Sequence, residues 1–192
     1  MRKSLALALL LIPSLANASI RFEYGLSSFN GTDGASSITQ QETEYSDGYS
    51  VGIGYELNRV VGFYLSKTGG NKFSFREGGS AHYLEHRNDV STTFIGTDIG
   101  YTFGQEVTFK PYVALGYNRM KESLHITEVE LDEVISASSV TAKESSFFYG
   151  VGARVAYKFV SIDVSLLQPA KSTSIWGSDD KTISKLAFGV RF

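Results

Sequence analysis

The sequence predicts an all-β protein, an eight-stranded antiparallel up-and-down transmembrane β-barrel with short periplasmic turns and long extracellular loops. Three observations lead to this prediction. The chain begins with a secretory leader, it contains eight segments in which apolar residues occupy every second position, and the last of these ends on a bare phenylalanine, Phe192. A period of two residues is typical of strands, and strands between lipid and a polar lumen are typical of outer-membrane barrels.

The first residues have the order of a signal peptide. Two basic residues, Arg2 and Lys3, precede an apolar run that ends at Leu15, and small residues follow. This order is typical of secretory signals, and the run is too short to span a bilayer as a helix. We predict that 1–18 is cleaved, that 19–192 forms one barrel domain, and that the protein reaches the outer membrane of a Gram-negative bacterium after secretion across the inner membrane.

The composition excludes several classes of function. The chain has no cysteine, so no disulfide framework stabilises it. Without the leader, the chain has 16 of its 18 basic side chains and all 20 acidic ones, so its net charge is negative. A negative net charge argues against nucleic-acid binding, which favours a basic surface. Abundant glycine, tyrosine and phenylalanine favour β structure. We expect no cofactor and no bound metal.

The first two predicted strands are 20–29 and 48–57. Each places aromatic and aliphatic residues on one face and glycine or charged residues on the other. The segment between them, 30–47, is polar and acidic, so we predict a long loop. Asn58-Arg59 then forms a tight turn.

The third and fourth predicted strands are less regular at their outer ends. The third begins at Val61 or one residue earlier and has apolar residues on both faces, so its parity stays open. It either stops early or continues to a turn at 78–80. The fourth returns from His82 or Val90 and ends near Phe103, with its apolar face on the odd-numbered residues.

The fifth and sixth predicted strands are 109–117 and 147–157. Pro111 lies near the start of the fifth, where a strand tolerates proline. The longest irregular segment of the chain, 118–146, separates the two strands. It is too apolar for a freely flexible loop, so we expect either a hairpin that protrudes above the membrane or a short helix.

The seventh and eighth predicted strands close the chain. A turn at Lys158-Phe159 leads into the seventh, 160–166, and a loop, 168–181, leads to the eighth, 185–192. Long connections therefore alternate with short ones, as in outer-membrane barrels. Aromatic residues fall near both ends of the strands and predict two girdles: Tyr55, Tyr101, Phe103, Phe109, Tyr157 and Phe192 at the short turns, and Tyr49, Tyr117, Phe147 and Tyr149 near the long loops.

The last three strands carry a resemblance to a known family. The segments Phe148-Tyr149-Gly150-Val151-Gly152, 160–165 and 186–192 resemble the corresponding strands of the small OmpX/Ail barrels. They are also similar to the transmembrane domain of OmpA and to the opacity proteins. The resemblance implies a barrel of this type, and its motifs name no activity. It also implies a role in adhesion, invasion, serum resistance or envelope integrity.

The terminal strand has a second predicted role in assembly. Polar Lys185, small Ala187, Val190 and terminal Phe192 resemble the signal that the barrel-insertion machinery reads at the C-termini of its substrates. We therefore expect this machinery to be a partner during assembly.

Charged residues on the polar faces are predicted to meet inside the barrel. An eight-stranded barrel is only wide enough for side chains to fill, and unpaired charges there would be very costly. Five cations and four anions suggest ion pairs that close the lumen as a plug, and the alternative is a gate or narrow conduit. The predicted network consists of Arg21, Glu23, Glu56, Asp98, Lys110, Arg154, Asp163, Lys185 and Arg191.

The histidines offer the only candidate catalytic or metal-ligating group. His82 and His86 lie on one strand face with Glu85 between them, so a zinc site or a hydrolytic group is conceivable. The spacing expected of lipid A deacylases is absent, and solvated histidines are the simpler interpretation. Catalytic, cofactor and metal residues are therefore predicted to be none.

The acidic loops are the predicted contact surfaces. Segments 30–47 and 118–146 carry net charges of −4 and −3. Such loops can be merely solvated, can bind divalent cations that bridge lipopolysaccharide, or can contact a basic host surface or serum components. The expected function is a non-enzymatic surface protein in contact with outer-membrane lipid and lipopolysaccharide. A small passive pore and a lipid A-modifying enzyme are the alternatives.

Overall fold

The computed structural model describes residues 18–30, 44–171 and 182–192. The predicted signal peptide lies almost wholly outside these ranges. No helix within them is long and apolar enough to cross a membrane. The ten strands are β1 (Ser19–Asn30), β2 (Glu44–Ser46), β3 (Gly48–Glu56), β4 (Val61–Gly78), β5 (His82–Gly100), β6 (Phe103–Gly104), β7 (Val107–Glu130), β8 (Glu133–Tyr157), β9 (Val160–Pro169) and β10 (Thr182–Arg191).

Eight of these strands form a closed antiparallel barrel. The order is β1-β3-β4-β5-β7-β8-β9-β10, and β10 pairs back onto β1 with Arg21 opposite Arg191. At the seam, the Ile20 amide donates to the Phe192 carbonyl at 3.0 Å, and the Phe192 amide donates to the Ile20 carbonyl at 2.9 Å. The predicted fold class is confirmed, and the terminal strand closes the barrel.

Two short strands were not predicted. β2 pairs with β4, and β6 pairs with β7 beside the turn that follows β5. Of the predicted first loop, 31–43 lies outside the described residues, and so does 172–181 of the last loop. β2 shows that the end of the first loop adds a strand to β4 beyond the point where β3 begins.

The parity of the third predicted strand is resolved by a bulge. In the first part of β4, Phe63 and Leu65 point outward, while Tyr64 and Ser66 point inward. The register of β4 against β5 shifts after Thr68, at a Gly69-Gly70 pair in which Gly70 has φ of +76°. The extra residue reverses the parity, as bulges do, so odd-numbered residues point inward beyond it. The apolar residues at both odd and even positions of this segment therefore belong to one continuous strand, whose alternation changes at the bulge.

The segment 118–146 forms a hairpin. β7 and β8 stay paired from Val107 opposite Tyr157 to Glu130 opposite Glu133. The connecting residues, Leu131 and Asp132, have positive φ angles of 50° and 67°, as type I′ hairpin turns require. The prediction of an irregular segment is wrong, and so is the helical alternative. The protruding-hairpin alternative is confirmed.

The strands differ greatly in length. β4, β5, β7 and β8 contain 18, 19, 24 and 25 residues, whereas β1, β3, β9 and β10 contain 12, 9, 10 and 10. A membrane-spanning strand needs roughly 9–11 residues. The four long strands therefore extend past the barrel on one side. We call this extension, with β2 at its edge, the extracellular sheet.

The outer surface of the barrel is an apolar belt. Outward side chains such as Phe22, Val113 and Phe188 are 47–59% exposed. In a water-soluble sandwich these residues would form the core, so their exposure agrees with a surface that lipid covers. The ten aromatic residues of the two predicted girdles are all exposed on the outside of the barrel.

Candidate functional site

A cluster of charged side chains fills the lumen near the short turns. Arg154 on β8 is its centre. Its Nε donates to Asp163 Oδ2 at 2.8 Å, its Nη2 to Asp98 Oδ2 at 3.2 Å, and its Nη1 to Glu56 Oε1 at 3.2 Å. These carboxylates come from β9, β5 and β3, so one guanidinium links four strands across the interior.

The remaining members of the cluster surround Glu56. Lys110 Nζ donates to Glu56 Oε1 at 2.7 Å and also bonds Asp98. Arg21 pairs with Glu23 and lies 3.6 Å from Glu56 Oε2. Together with Lys185, which is also buried, the lumen cluster has four cations and four anions. Its members are Arg21, Glu23, Glu56, Asp98, Lys110, Arg154, Asp163 and Lys185.

Two members of the predicted network differ from the others. Lys185 Nζ donates to Ser66 Oγ at 3.2 Å, and this hydrogen bond is to a hydroxyl rather than a carboxylate. Arg191 is not brought into the cluster. Its Nη2 donates to the Lys158 carbonyl at 2.9 Å, at the rim of the barrel. The alternation of the strand predicts that Arg191 points inward, but it does not show that the residue lies at the rim rather than in the middle of the barrel.

The lumen cluster leaves almost no open space. The cavity between Glu23, Tyr64, Asp163 and Lys185 measures about 10 Å³. A cavity of that size holds at most one water molecule. A larger vestibule of about 260 Å³ lies on the short-turn side, with Arg154 and neighbouring members of the cluster in its wall. Ion pairs rather than an open channel therefore occupy this level of the barrel.

Tyr112 is a partner of the cluster that the sequence did not indicate. Its hydroxyl donates to Asp163 Oδ1 at 2.7 Å, and its ring lies beside the Arg154 guanidinium, with 5.2 Å from Cζ to the ring centroid. A side chain at Gly152, directly opposite on β8, would collide with this ring. The sequence signal that could have indicated this contact is an aromatic residue, Tyr112, at an inward position whose partner strand offers an inward glycine, Gly152.

The Gly152→Ala substitution is expected to destabilise the barrel by about 1–3 kcal/mol, because the new methyl group displaces Tyr112 from Asp163. The free energy of unfolding in urea, measured in lipid vesicles, tests this. Gly79→Ala is the matched control, since nothing lies within 4 Å of its added carbon. Equal stability of the two variants would contradict the packing argument.

A layer of apolar side chains lies above the charged cluster. The Phe94 and Phe148 rings meet edge to face with centroids 5.0 Å apart, and Met120, Leu167 and Ile183 pack in the same cluster. The exposed fraction of each is 2% or less. Sequence reasoning did not identify this layer, because it treated inward positions as polar. The side chains that fill the lumen are therefore partly hydrophobic.

Glu122 corrects the prediction that the acids of 118–146 belong to a solvent-facing loop. Its side chain is only 1% exposed, and its carboxylate accepts a hydrogen bond from the Asn88 amide. The alternation of β7 continues through this position, so Glu122 points inward like Lys110 and Tyr112. The loop charge estimated from the sequence therefore overstates the acid that faces solvent.

The three histidines lie in the extracellular sheet and have separate partners. His82 Nε2 lies 3.0 Å from Glu128 Oε1, and His125 Nε2 lies 3.8 Å from Asp89 Oδ2. His86 is buried and stacks on Phe75, with ring centroids 4.4 Å apart. Within the described residues, no group of three or more His, Cys, Asp or Glu side chains could hold a metal ion.

Comparison with known proteins identifies the family. The model of the outer membrane protein β-barrel domain matches residues 4–192, nearly the whole chain. The chain belongs to the outer-membrane β-barrel family. Membership places it in the outer membrane of Gram-negative bacteria.

Solved structures agree with this outer-membrane fold. Ail, the attachment invasion locus protein of Yersinia pestis, in complex with the heparin analogue sucrose octasulfate, is 18% identical, with a TM-score of 0.55 over 91% of this chain and 97% of Ail. A second Ail structure is 17% identical, with a TM-score of 0.52 over 91% and 97%. The N-terminal β-barrel domain of Pseudomonas aeruginosa OprF is 17% identical, with a TM-score of 0.47 over 92% and 98%. The curated proteins contain no match. At identities this low, the two Ail structures show the fold alone.

Outer-membrane barrels have short periplasmic turns, and this orients the chain. The turns at Asn58 and Lys158 then face the periplasm, and the long strands extend outside the cell. At the Asn58 turn, the side-chain oxygen accepts hydrogen bonds from the Val60 and Val61 amides, both at 2.7 Å. Local hydrogen bonds therefore stabilise this turn, and the long strands project beyond the apolar belt at the other end.

The residues of the proposed assembly signal have distinct positions in the outer-membrane barrel. Lys185 and Ala187 point into the lumen, Val190 points to lipid, and Phe192 lies at the periplasmic rim with 76% of its surface exposed. The Phe192 ring meets Phe22 edge to face, with centroids 6.4 Å apart. Recognition by the insertion machinery remains a prediction.

His86 predicts a pH dependence of the extracellular sheet. Burial lowers the pKa of His86, although Glu77 Oε2, 3.5 Å from its Nε2, acts in the opposite direction. The unfolded sheet therefore binds more protons than the folded sheet once the pH falls below the ordinary histidine value of about 6.5. Stability is complete above that value and declines below it.

We expect amide hydrogen exchange in β4 and β5 around His86 to be faster at pH 5.5 than at pH 7.5, after correction for intrinsic rates, by at most about tenfold. The control is His86→Phe, which keeps a ring against Phe75 and cannot titrate. Its exchange should show no such acid dependence. An equal acid response in this variant would assign the effect to other groups.

Proposed function

We propose that the protein is a non-enzymatic surface protein whose extracellular sheet contacts partners outside the cell, in adhesion, colonisation, serum resistance or envelope integrity. The observation that carries the proposal is the outer part of β8. β9 ends at Pro169, opposite Phe148, while β8 begins at Glu133. Beyond Phe148, the only strand paired with β8 among the described residues is β7. An open strand edge can pair with a strand of another protein.

The backbone orientation of this edge follows from one hydrogen bond. The Phe147 carbonyl accepts from the Ala170 amide at 2.7 Å, so it points away from β7. The register of β7 and β8 is unbroken from Phe147 to Ser136, so the other odd-numbered residues point the same way. The amides of the edge that no described strand pairs therefore belong to Ala137, Ser139, Thr141, Lys143 and Ser145.

This geometry gives a matched pair of test variants. Ser139→Pro removes one amide of the open edge and no hydrogen bond to β7, whereas Ser139→Ala leaves the edge intact. We expect Ser139→Pro to reduce attachment of expressing bacteria to epithelial monolayers several-fold, and Ser139→Ala to behave as wild type. Survival in serum is the second readout. Wild-type cells that attach and survive no better than cells without the protein would refute the proposed function.

A similar role for Ail supports the proposal by analogy. Ail shares this fold, is named for attachment and invasion, and has been crystallised with a heparin analogue. The proposed partners of this chain, host surface or serum components, would meet it through the extracellular sheet and through 30–47 and 118–146. Lipopolysaccharide surrounds the same region.

The alternative functions have direct tests. A passive pore requires a path through the lumen cluster, where the cavity is about 10 Å³. We expect no stable conductance from the full chain in planar bilayers, and steady nanosiemens channels would favour the pore. A lipid A-modifying enzyme would change the mass of lipid A extracted from expressing cells. We expect that mass to be unchanged.

A further inference from the structure

Four cationic side chains lie together on the outer surface of the barrel, directly above the apolar belt. They are Lys67 on β4, Arg119 and Lys121 on β7, and Lys143 on β8, and all four are exposed. We call these four residues the basic patch. None of the four belongs to the lumen cluster. Lys143 also contributes a backbone amide to the edge of β8 that carries the proposed function, but the side chains of all four project from the face of the sheet.

The strand register brings the basic patch into two neighbouring rows. Lys67 and Arg119 both pair with Thr93 of the intervening β5, one from each side, so their backbones are two strand spacings, roughly 10 Å, apart. Lys121 lies directly opposite Lys143. This pair is of the type without mutual hydrogen bonds, in which the two side chains lie closest.

Among the described residues, no carboxylate forms an ion pair of 4.0 Å or less with these charges. Asp89 on β5 lies on the same face, diagonal to Lys121, but its ion pair at 3.8 Å is with His125. Glu122 and Glu144 follow Lys121 and Lys143 in the sequence, but strand alternation turns both away from this face. Like charges directly opposite each other destabilise a sheet. A bound anion would remove this repulsion.

The basic patch lies at the depth of the lipid head groups. Tyr117 and Phe147, whose rings meet edge to face with centroids 5.9 Å apart, mark the top of the apolar belt on β7 and β8. Arg119 is two residues beyond Tyr117 and Lys121 is four. With roughly 3.3 Å per residue and a tilt of about 40°, they lie roughly 5 and 10 Å above the belt.

Within the strands that the structure describes, the outward cations just above the belt lie on β4, β7 and β8, and Lys171 follows the end of β9. At the outer ends of β1, β3, β9 and β10, the corresponding outward residues are Ser28, Tyr49, Gln168 and Ser184, none of them charged. A general attraction to an anionic membrane needs no such asymmetry. A localised set of four cations fits a single ligand with more than one anionic group.

We propose that the basic patch binds the phosphate groups of an outer-leaflet glycolipid, with Lys121 and Lys143 sharing one phosphate and Lys67 and Arg119 holding a second. The outer leaflet of this membrane consists of a glycolipid with two phosphates on its sugar base. Its acyl chains would cover the apolar belt below the patch. A soluble polyanion has no apolar part that could cover the belt below the patch, so the lipid is the favoured ligand.

The test uses the full chain folded in nanodiscs of zwitterionic phospholipid. Binding of bisphosphorylated lipid A is compared with binding of the same lipid after enzymatic removal of both phosphates. Lys121→Gln/Lys143→Gln is the test variant. Arg76→Gln/Arg87→Gln is the matched control, since it removes two exposed positive charges from the same sheet farther from the belt. Lys121→Arg/Lys143→Arg preserves the charge, and heat modifiability verifies that every variant is folded.

At about 1 kcal/mol per cation near anionic head groups, the Gln pair should weaken lipid A binding roughly 30-fold. Removal of the phosphates should weaken wild-type binding at least as much, while the control and the Arg pair should bind as wild type. Equal affinity of the Gln pair and the wild type would overturn the proposal. So would displacement of lipid A by sucrose octasulfate or inorganic phosphate, which would make the patch a site for soluble anions. The Ser139 variants leave the patch intact, so failure here is distinct from failure of the proposed function.

Discussion

Replacement of Arg154 by methionine is expected to lower the free energy of unfolding by about 3–5 kcal/mol. The guanidinium bonds Asp163, Asp98 and Glu56, and its side chain is 8% exposed. Without it, Asp98 and Asp163 each lose an ion-pair partner beside a cavity that admits at most one water molecule, and Glu56 loses a partner at the wall of the vestibule. Their mutual repulsion and incomplete solvation make this the most damaging single change that we expect in the barrel.

The measurement is reversible urea unfolding in lipid vesicles, followed by tryptophan fluorescence and electrophoretic mobility. Arg191→Met is the matched control, because Arg191 lies at the rim and donates to one backbone carbonyl. Its effect should stay within about 0.5 kcal/mol, as for most surface changes. Arg154→Lys should fall between the two, since an ammonium cannot reproduce the branched contacts of a guanidinium. If Arg154→Met proved as stable as Arg191→Met, the lumen cluster would not be what holds the barrel closed.

The substitution Phe192→Ala is expected to reduce the folded protein in outer-membrane fractions several-fold. Phe192 pairs with Ile20 through two backbone hydrogen bonds, and its ring packs on Phe22 at the seam. The substitution keeps the backbone pairing but removes the aromatic group from the periplasmic rim and from the proposed insertion signal. Deletion of Phe192 also removes the pairing, so its effect should be larger.

The control for this prediction is Phe159→Ala. Phe159 is exposed at the neighbouring periplasmic turn, so its loss tests the value of a rim aromatic outside the terminal strand. The readout is the heat-modifiable fraction in outer-membrane preparations at matched expression. An equal loss of folded protein in both variants would mean that Phe192 contributes only as one aromatic residue of the girdle. Wild-type amounts for Phe192→Ala would remove the case for a terminal insertion signal.

In the proposed function, the filled lumen and the extracellular sheet have complementary roles. Charged and apolar layers fix the barrel, and β4, β5, β7 and β8 carry that rigidity beyond the membrane as continuous strands. A surface for recognition benefits from such a base, because less conformational freedom is lost when a partner binds. The basic patch would hold the same four strands at a fixed depth relative to the outer leaflet.

The sequence by itself determined the barrel and the inward side of most strands. Alternation in 20–29, 147–157 and 185–192 is a local property, since adjacent side chains of any strand point to opposite faces. The requirement that one face meet lipid and the other a narrow lumen then assigned Arg21, Asp98 and similar residues to the interior. Their burial follows from parity and needs no knowledge of the partner strands.

Tertiary structure alone decided where that parity changes and how far the strands continue. The bulge at Gly69-Gly70 is defined by the register of β4 against β5, which the residues of β4 do not encode alone. β7 and β8 continue through 118–146 because each supplies hydrogen bonds to the other, and β5 supports β7 up to Glu130. Glu122 became an interior residue for the same reason.

Tertiary structure also decided which charges meet. Arg154 contacts Glu56, Asp98 and Asp163, which are separated from it by 98, 56 and 9 positions in the sequence. Arg191 contacts none of these carboxylates, although its position in the alternation also predicted an inward side chain. Lys67 and Lys143 likewise lie in one patch although 76 positions separate them. Alternation specifies the face on which a side chain lies. Its height and neighbours depend on strand register, which arises only when non-local backbone hydrogen bonds close the barrel.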